Sequence, residues 1–183
     1  MIEANYGEGA SDDFWQVYAQ VKEELGYNVK EVATRFAKLR NSPDLASAVA
    51  AFLEVSFTEY LFPHARELLR MLSRDSQLII FSTGDELLQK KKVEDLGLYK
   101  MATEVIISAS KMDLLKELAK KYSPPYIVID DRPSVIEEAK RSLSDAVTVW
   151  VKIGDYANRK QTVGADLETD DLKEVLAFLR KII

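Results

Sequence analysis

The chain has 183 residues, 47% hydrophobic and 30% charged, with a formal net charge of −5. This is an ordinary soluble globular balance, long enough for one core domain or a core with a small insert, and too acidic for a nucleic-acid footprint, which needs clustered Lys and Arg. With no cysteine, disulfide and thiolate chemistry are excluded; no apolar run reaches membrane-spanning length and the start lacks signal-peptide order, so the protein is read as cytoplasmic.

In chain order, Met1-Ile2 reads as the last residues of a strand, and Gly7 and Gly9 make the rest of residues 1–10 a loop. Glu3 and Asn5 are its polar pair of note. Ser11 to Phe57 reads as helical throughout. Ser11 is expected to cap a helix carrying Phe14, Trp15, Val17, Tyr18, Val21 and Leu25, ended by Gly26. Asn28 followed by Glu31 opens a second helix. Ser42-Pro43 starts a third, with Leu45, Val49, Phe52 and Leu53 apolar.

From Tyr60 the pattern becomes strand–helix alternation. Pro63 opens a helix to Leu72. Leu78 to Phe81 is a buried strand ending at Ser82-Thr83-Gly84-Asp85, and a helix follows from Glu86 to Leu96. Glu104 to Ser108 is the next strand, and Ser110 caps a helix running to Lys121. Tyr126 to Ile129 is a strand that stops on Asp130 and Asp131. Pro133 suits the first turn of the next helix, where its missing N–H has no partner to lose. Val147 to Val151 is another strand, and a polar loop from Asp155 to Gly164 leads to a last helix from about Asp170. Such alternation predicts βαβ units, a parallel sheet and right-handed connections.

Ser82, Lys111 and the Asp130/Asp131 pair each follow an apolar strand, so all are expected at the carboxyl edge of the sheet, where open α/β sheets bind ligands. A hydroxyl donates to a phosphate oxygen, a lysine neutralises its charge, and paired carboxylates suit Mg²⁺. Each of these residues also has a purely structural role open to it. The acids can cap the next helix's N-terminus, Ser82 can be a helix cap, and Lys111 can be a solvated lysine, although a cation early in a helix is disfavoured. His64 reads as surface packing, the Phe14/Trp15/Tyr18 stripe as helical core, and Lys90, Lys91 and Lys92 as a solvated face.

In this order the residues resemble the haloacid dehalogenase superfamily. Its second motif, an apolar strand ending in Ser or Thr, is matched by Ile79-Ile80-Phe81-Ser82-Thr83-Gly84. Its third, a lysine near a helix start, is matched by Lys111. Its fourth, an acid pair after a strand, is matched by Ile129-Asp130-Asp131-Arg132-Pro133. The stretch TEYLFPHARELLRML is similar to the family's return from a helical cap, and Gly164-Ala165-Asp166-Leu167 precedes a last helix as in the family. A response-regulator receiver has a similar residue set, but its acid pair comes first in the chain, and here it comes last. The resemblance implies an α/β fold, a Rossmann-like parallel sheet core in residues 1–10 and 58–183 with a small helical cap at 11–57. It further implies Mg²⁺ at Asp131 with Asp130, and a small-molecule phosphate ester or phosphate bound by Ser82, Thr83, Gly84 and Lys111.

The sequence departs from the family at the first motif. Family hydrolases end their first strand in Asp-x-Asp, a nucleophile that forms an aspartyl-phosphate and a general acid/base. Glu3-Ala4-Asn5 stands at that place. A Glu oxygen is misplaced by about an ångström, which costs ~10²-fold, and Asn5 neither accepts nor gives a proton as an acid/base. Val135 is a second departure, where the fourth motif often has an acid or Asn. The expected functions are therefore an Mg²⁺-dependent phosphoric-ester hydrolase with Glu3, Asn5 and Lys111 in catalytic positions, or a catalytically silent binding or regulatory module. Halide release needs the same aspartate nucleophile and gains nothing here.

Overall fold

Short β-branched runs make the strands and amphipathic runs between them make the helices, as the hydrophobic periodicity requires. The computed structural model describes residues 2–26, 28–42, 56–108, 110–157 and 164–183. In chain order the elements are α1 (Ile2–Tyr6), α2 (Ala10–Leu25), α3 (Val29–Leu39), α4 (Ala65–Asp75), β1 (Ile79–Thr83), α5 (Glu86–Asp95), β2 (Glu104–Ser108), α6 (Lys111–Lys121), β3 (Ile127–Asp130), α7 (Pro133–Ser142), β4 (Val147–Val151), β5 (Leu167–Thr169) and α8 (Leu172–Leu179). No helix among the described residues is long and apolar enough to cross a membrane.

The chain divides into two compact units. One comprises Met1–Tyr60 with Ser82–Lys100, the other Leu61–Phe81 with Met101–Ile183. Residues 1–10 thus group with the helical stretch rather than with the sheet, and 82–100 join them. The dividing line falls inside β1, between Phe81 and Ser82.

In the second unit the strands β3, β4 and β5 form a parallel sheet in that order. Ile127 pairs with Val147 and Asp130 with Trp150 along one ladder, and Val149 pairs with Leu167 along the other. The pleat sends alternate side chains of β4 to opposite faces. Val149 and Val151 pack with Leu68 and Leu72 of α4 and with Val175, Leu176 and Leu179 of α8. Trp150 packs on the other face with Leu115 of α6 and with Val135, Ile136 and Ala139 of α7. A sheet covered on both faces has to be apolar on both, which is why β4 reads Val-Thr-Val-Trp-Val. Its Thr148 is also fully buried; its hydroxyl and its N–H both bond Asp166 Oδ2, at 3.0 and 2.7 Å. Strands β1 and β2 pair with each other in a separate two-stranded sheet, and Ile80 of β1 packs into the same core as Ile127 and Ile129 of β3.

In the first unit α1, α2 and α3 bury Phe14, Val17 and Val21 against Val32 and Phe36. Here the structure corrects the expected strand end at Met1-Ile2: residues 2–6 are helical. Ile2 and Tyr6, one helical turn apart, both pack onto this cluster, and the Tyr6 ring meets Phe36 edge-on with centroids 5.1 Å apart. Spacing of i, i+4 on an apolar surface selects helix over strand. Ser11 is not the cap of α2. Gly9 occupies that position in the left-handed region, with φ 73°, and makes no side-chain cap. The Ser11 N–H donates instead to Glu3 Oε1 at 3.0 Å. The other ends follow the reading: Asn28 Oδ1 accepts from Glu31 N–H, Ser110 Oγ from Asp113 N–H, and Gly26 closes α2. The third helix expected from Ser42-Pro43 lies at residues 43–55, outside the described residues, as does most of the loop from Asp155 to Gly164. The strand β5 was not expected at all.

Candidate functional site

Strand β3 carries the acid pair to the sheet edge. Asp130 is its last residue and is 7% exposed. Two donors meet its carboxylate: the Lys111 ammonium at Oδ2, 2.5 Å, and the Arg132 N–H at Oδ1, 2.9 Å. Lys111 is the first residue of α6, placed there by the Ser110 cap. Its ammonium also stands 5.3 Å over the Phe81 ring of β1. A buried carboxylate with a lysine and a backbone donor is compensated in charge and in hydrogen bonds, which is what burial demands.

Asp131 is placed differently. Its backbone carbonyl accepts the Trp150 indole N–H at 2.9 Å, while its side chain accepts no bond from another described residue. Burial first, and then the Asp130 charge, push the Asp131 carboxyl above its ordinary range, against the weaker opposing pull of Lys111 and Arg132. Three charged groups therefore meet here, with Lys111 engaged by Asp130 and the negative charge of Asp131 only partly offset. That donor set fits Mg²⁺, which binds through one or two carboxylates and keeps several waters or phosphate oxygens. A cation beside Asp131 favours its charged form, against the burial and the Asp130 charge that raise its pKa. Among the described residues no group of three His, Cys, Asp or Glu converges on such a site.

Ser82 and Thr83 end β1, Gly84 follows it, and all three belong to the first unit. The Ser82 hydroxyl donates to Gln89 Oε1 of α5 at 2.9 Å. Gly84 is exposed, with φ 133°, and a Cβ there would lie 3.0 Å from Gln89 Nε2. Asp85 then caps α5 through Oδ1, which accepts from Leu88 N–H, while its Oδ2 accepts from Val29 N–H at the start of α3. Glu3 and Asn5 lie in α1, on no strand end. The Ser11 backbone N–H holds the Glu3 carboxyl below its ordinary range, against a smaller effect of burial.

Most outlying residues keep their bland roles, but Trp15 of the expected core stripe is 60% exposed, and burial lowers the pKa of Lys92, which was expected on a solvated face. His64 sits in the left-handed region at the start of α4, 3.5 Å from Glu67. Lys90 pairs with Glu86 and Lys91 with Asp95, while Lys92 lies over the Phe57 ring. Sequence reasoning missed Trp150, Phe81 and Gln89. The signal for Trp150 was available: a buried indole needs an acceptor, and the loop after the neighbouring strand supplies one. Gln89 gave no signal, since a polar residue in an exposed-looking helix has no marked partner.

No protein-family profile matches the chain, and no curated protein sequence matches it. Solved structures do. A haloacid dehalogenase-like hydrolase from Burkholderia xenovorans is similar with a TM-score of 0.77 at 20% identity, over 96% of this chain and 84% of that one. A haloacid dehalogenase-like family hydrolase from Xanthomonas campestris is similar with a TM-score of 0.65 at 15% identity, over 98% and 89% of the two chains. A HAD-hydrolase from Bacillus subtilis, in a structure bound to magnesium, gives 0.56 at 19% identity over 98% and 82%. The chain thus has an α/β fold with a Rossmann-like parallel sheet, of the haloacid dehalogenase-like type.

Proposed function

We propose that this protein binds Mg²⁺ and a phosphate group, as a scaffold of the phosphoric-ester hydrolase kind. The observation that carries the reading is the meeting of Lys111, Asp130 and Asp131 at the carboxyl end of β3. Asp131 is the metal ligand and Asp130 assists it. Lys111 holds Asp130 in place and supplies the positive charge that a phosphate oxygen seeks. The turn Ser82-Thr83-Gly84 offers a hydroxyl and an exposed backbone to an anion. Mg²⁺, when bound, neutralises charge developing on a transferring phosphoryl group. The ligand is a small-molecule phosphate ester or phosphate, and the setting is cytoplasmic.

A second reading is favoured by the position of Glu3. It lies in α1 with its carboxylate on the Ser11 N–H rather than at a strand end. On that ground the centre binds without turnover, and the protein acts as a regulatory or binding module. One experiment separates the two. Hydrolysis of an aryl phosphate is measured with and without Mg²⁺, for the wild type, Asp131→Asn and Glu3→Gln, while the melting temperature is followed with Mg²⁺ and inorganic phosphate. Turnover lost in Asp131→Asn and without Mg²⁺ supports the hydrolase. No turnover, with melting still raised by Mg²⁺ and phosphate, supports the module. Neither turnover nor a thermal shift overturns both.

A further inference from the structure

The Ser82 hydroxyl has one proton, and that proton is engaged. It points at Gln89 Oε1, 2.9 Å away. A hydroxyl carries a single donor and two acceptor lone pairs, whereas a phosphate oxygen is an acceptor. With its proton on Gln89, Ser82 presents only lone pairs to an arriving phosphate, and lone pairs repel it.

The backbone of Gln89 cannot withdraw to change this. Its N–H is bonded to Asp85 O at 2.9 Å, and the same Asp85 caps the helix through Leu88 N–H. Only the side chain is free to respond. A half-turn of its terminal amide exchanges Oε1 for Nε2. The amide N–H then donates to Ser82 Oγ, and the hydroxyl proton is released. The room for that rotation lies over Gly84, where a Cβ would stand only 3.0 Å from Nε2.

We propose that Gln89 is a positioning residue that sets the direction of the Ser82 hydroxyl, and with it the affinity of the Ser82-Thr83-Gly84 turn for phosphate. The inference rests on the reading of that turn as a phosphate-binding element. Gln supports both hydroxyl directions because its amide is donor at one end and acceptor at the other. Glu, an acceptor only when ionised, fixes the closed direction and adds a like charge. Met and Leu offer no strong acceptor and leave the hydroxyl free.

The test is the dissociation constant of inorganic phosphate, by calorimetry in the presence of Mg²⁺, for the full chain and four variants. Gln89→Met and Gln89→Leu are expected to bind about fivefold more tightly than wild type, the value of one recovered hydrogen bond. Gln89→Glu is expected to bind at least about tenfold more weakly, since it opposes the anion with both a fixed acceptor and a charge. Ser82→Ala is expected to weaken binding. A merely structural role for Gln89 would shift all three Gln89 variants the same way and would show as a lowered melting temperature without phosphate. Binding weakened by Ser82→Ala but not tightened by either Gln89→Met or Gln89→Leu overturns the gate and leaves the phosphate site standing. Phosphate bound by no form, or bound equally by Ser82→Ala, overturns the phosphate-turn reading and the gate with it.

Discussion

Asp131 shows how one residue couples charge, protons and ligand. Its neighbour Asp130 accepts directly from a lysine and from the Arg132 N–H, whereas Lys111 and Arg132 act on Asp131 through charge alone and its hydrogen bond comes from its own N–H. Burial and the Asp130 charge raise its pKa, so between the unfolded and the folded pKa the folded chain holds a proton there that the unfolded chain has lost. By linkage, this group's contribution to stability is fully present below the unfolded pKa, about 3.9, and is lost as pH rises through the higher folded value. Asp131→Asn removes that dependence, because an amide does not titrate. The variant is therefore expected to melt at a higher temperature than metal-free wild type at pH 7, with the gap closing toward pH 4. The same proton competes with Mg²⁺ for the carboxylate. Thermal denaturation from pH 4 to 7.5 should show the Mg²⁺-induced shift growing with pH in wild type and absent at every pH in Asp131→Asn. A shift that is equal at pH 5 and pH 7 would remove Asp131 from the metal site.

At the scale of elements, single polar groups decide how neighbouring segments meet. The Asp85 carboxylate satisfies an N–H at the start of α5 and another at the start of α3. Asp85→Ala uncaps α5 and takes the acceptor from the Val29 N–H of α3, which keeps its Asn28 cap; each loss costs about 1 kcal/mol, so urea unfolding is expected to report a loss of about 2 kcal/mol, against about half that for a residue serving one helix. The Trp150 indole ties the turn after β3 to β4. Trp150→Phe leaves the Asp131 carbonyl without its donor and opens space in a fully buried site, at a cost of about 2 kcal/mol. If the indole positions the acid pair, Mg²⁺ affinity falls as well, which calorimetry would detect; an unchanged affinity would make the tryptophan a packing residue alone. Elements of this kind were unequally legible in the sequence. Strands β1 to β4 showed because each is a continuous apolar run between turn residues, and the caps Asn28 and Ser110 showed because cap and partner are three residues apart. Strand β5 has three residues, too few for a period to appear. In α1 the decisive contacts, Tyr6 on Phe36 and Glu3 on Ser11, come from residues well separated in the chain, which no local pattern records. At the site, Lys111 and the acid pair were legible because each follows a strand. The double role of Asp85 was not, since the string Ser-Thr-Gly-Asp offers several candidates for one role.

The whole molecule has separate apolar cores in its two units. Phe14, Val17, Val21, Val32 and Phe36 form one in the helical unit. Val149 and Trp150, on opposite faces of β4, anchor the two clusters that flank the sheet of the other. Cooperative unfolding follows contiguous packing, so a cavity lowers protection first within its own packed unit. Val149 is fully buried at the centre of the three-stranded sheet, and Val149→Ala deletes two methyl groups there, with an expected loss of about 2 kcal/mol. Phe36→Ala in the helical core is expected to cost about 3–5 kcal/mol. Hydrogen exchange read by mass spectrometry then has a definite expected pattern. Val149→Ala speeds exchange in β3, β4, α7 and α8 and leaves α2 and α3 near their wild-type rates; Phe36→Ala does the reverse. Strands β1 and β2, a two-stranded pair of a kind that is marginal alone, are expected to exchange faster than β3 and β4 in wild type. Mg²⁺ should slow exchange at the turn after β3 in wild type and not in Asp131→Asn, because the metal adds stability only where it is held. Uniform acceleration across both units by either cavity variant would mean that the two cores unfold as one, and a ligand at the acid pair would then stabilise the helical unit equally.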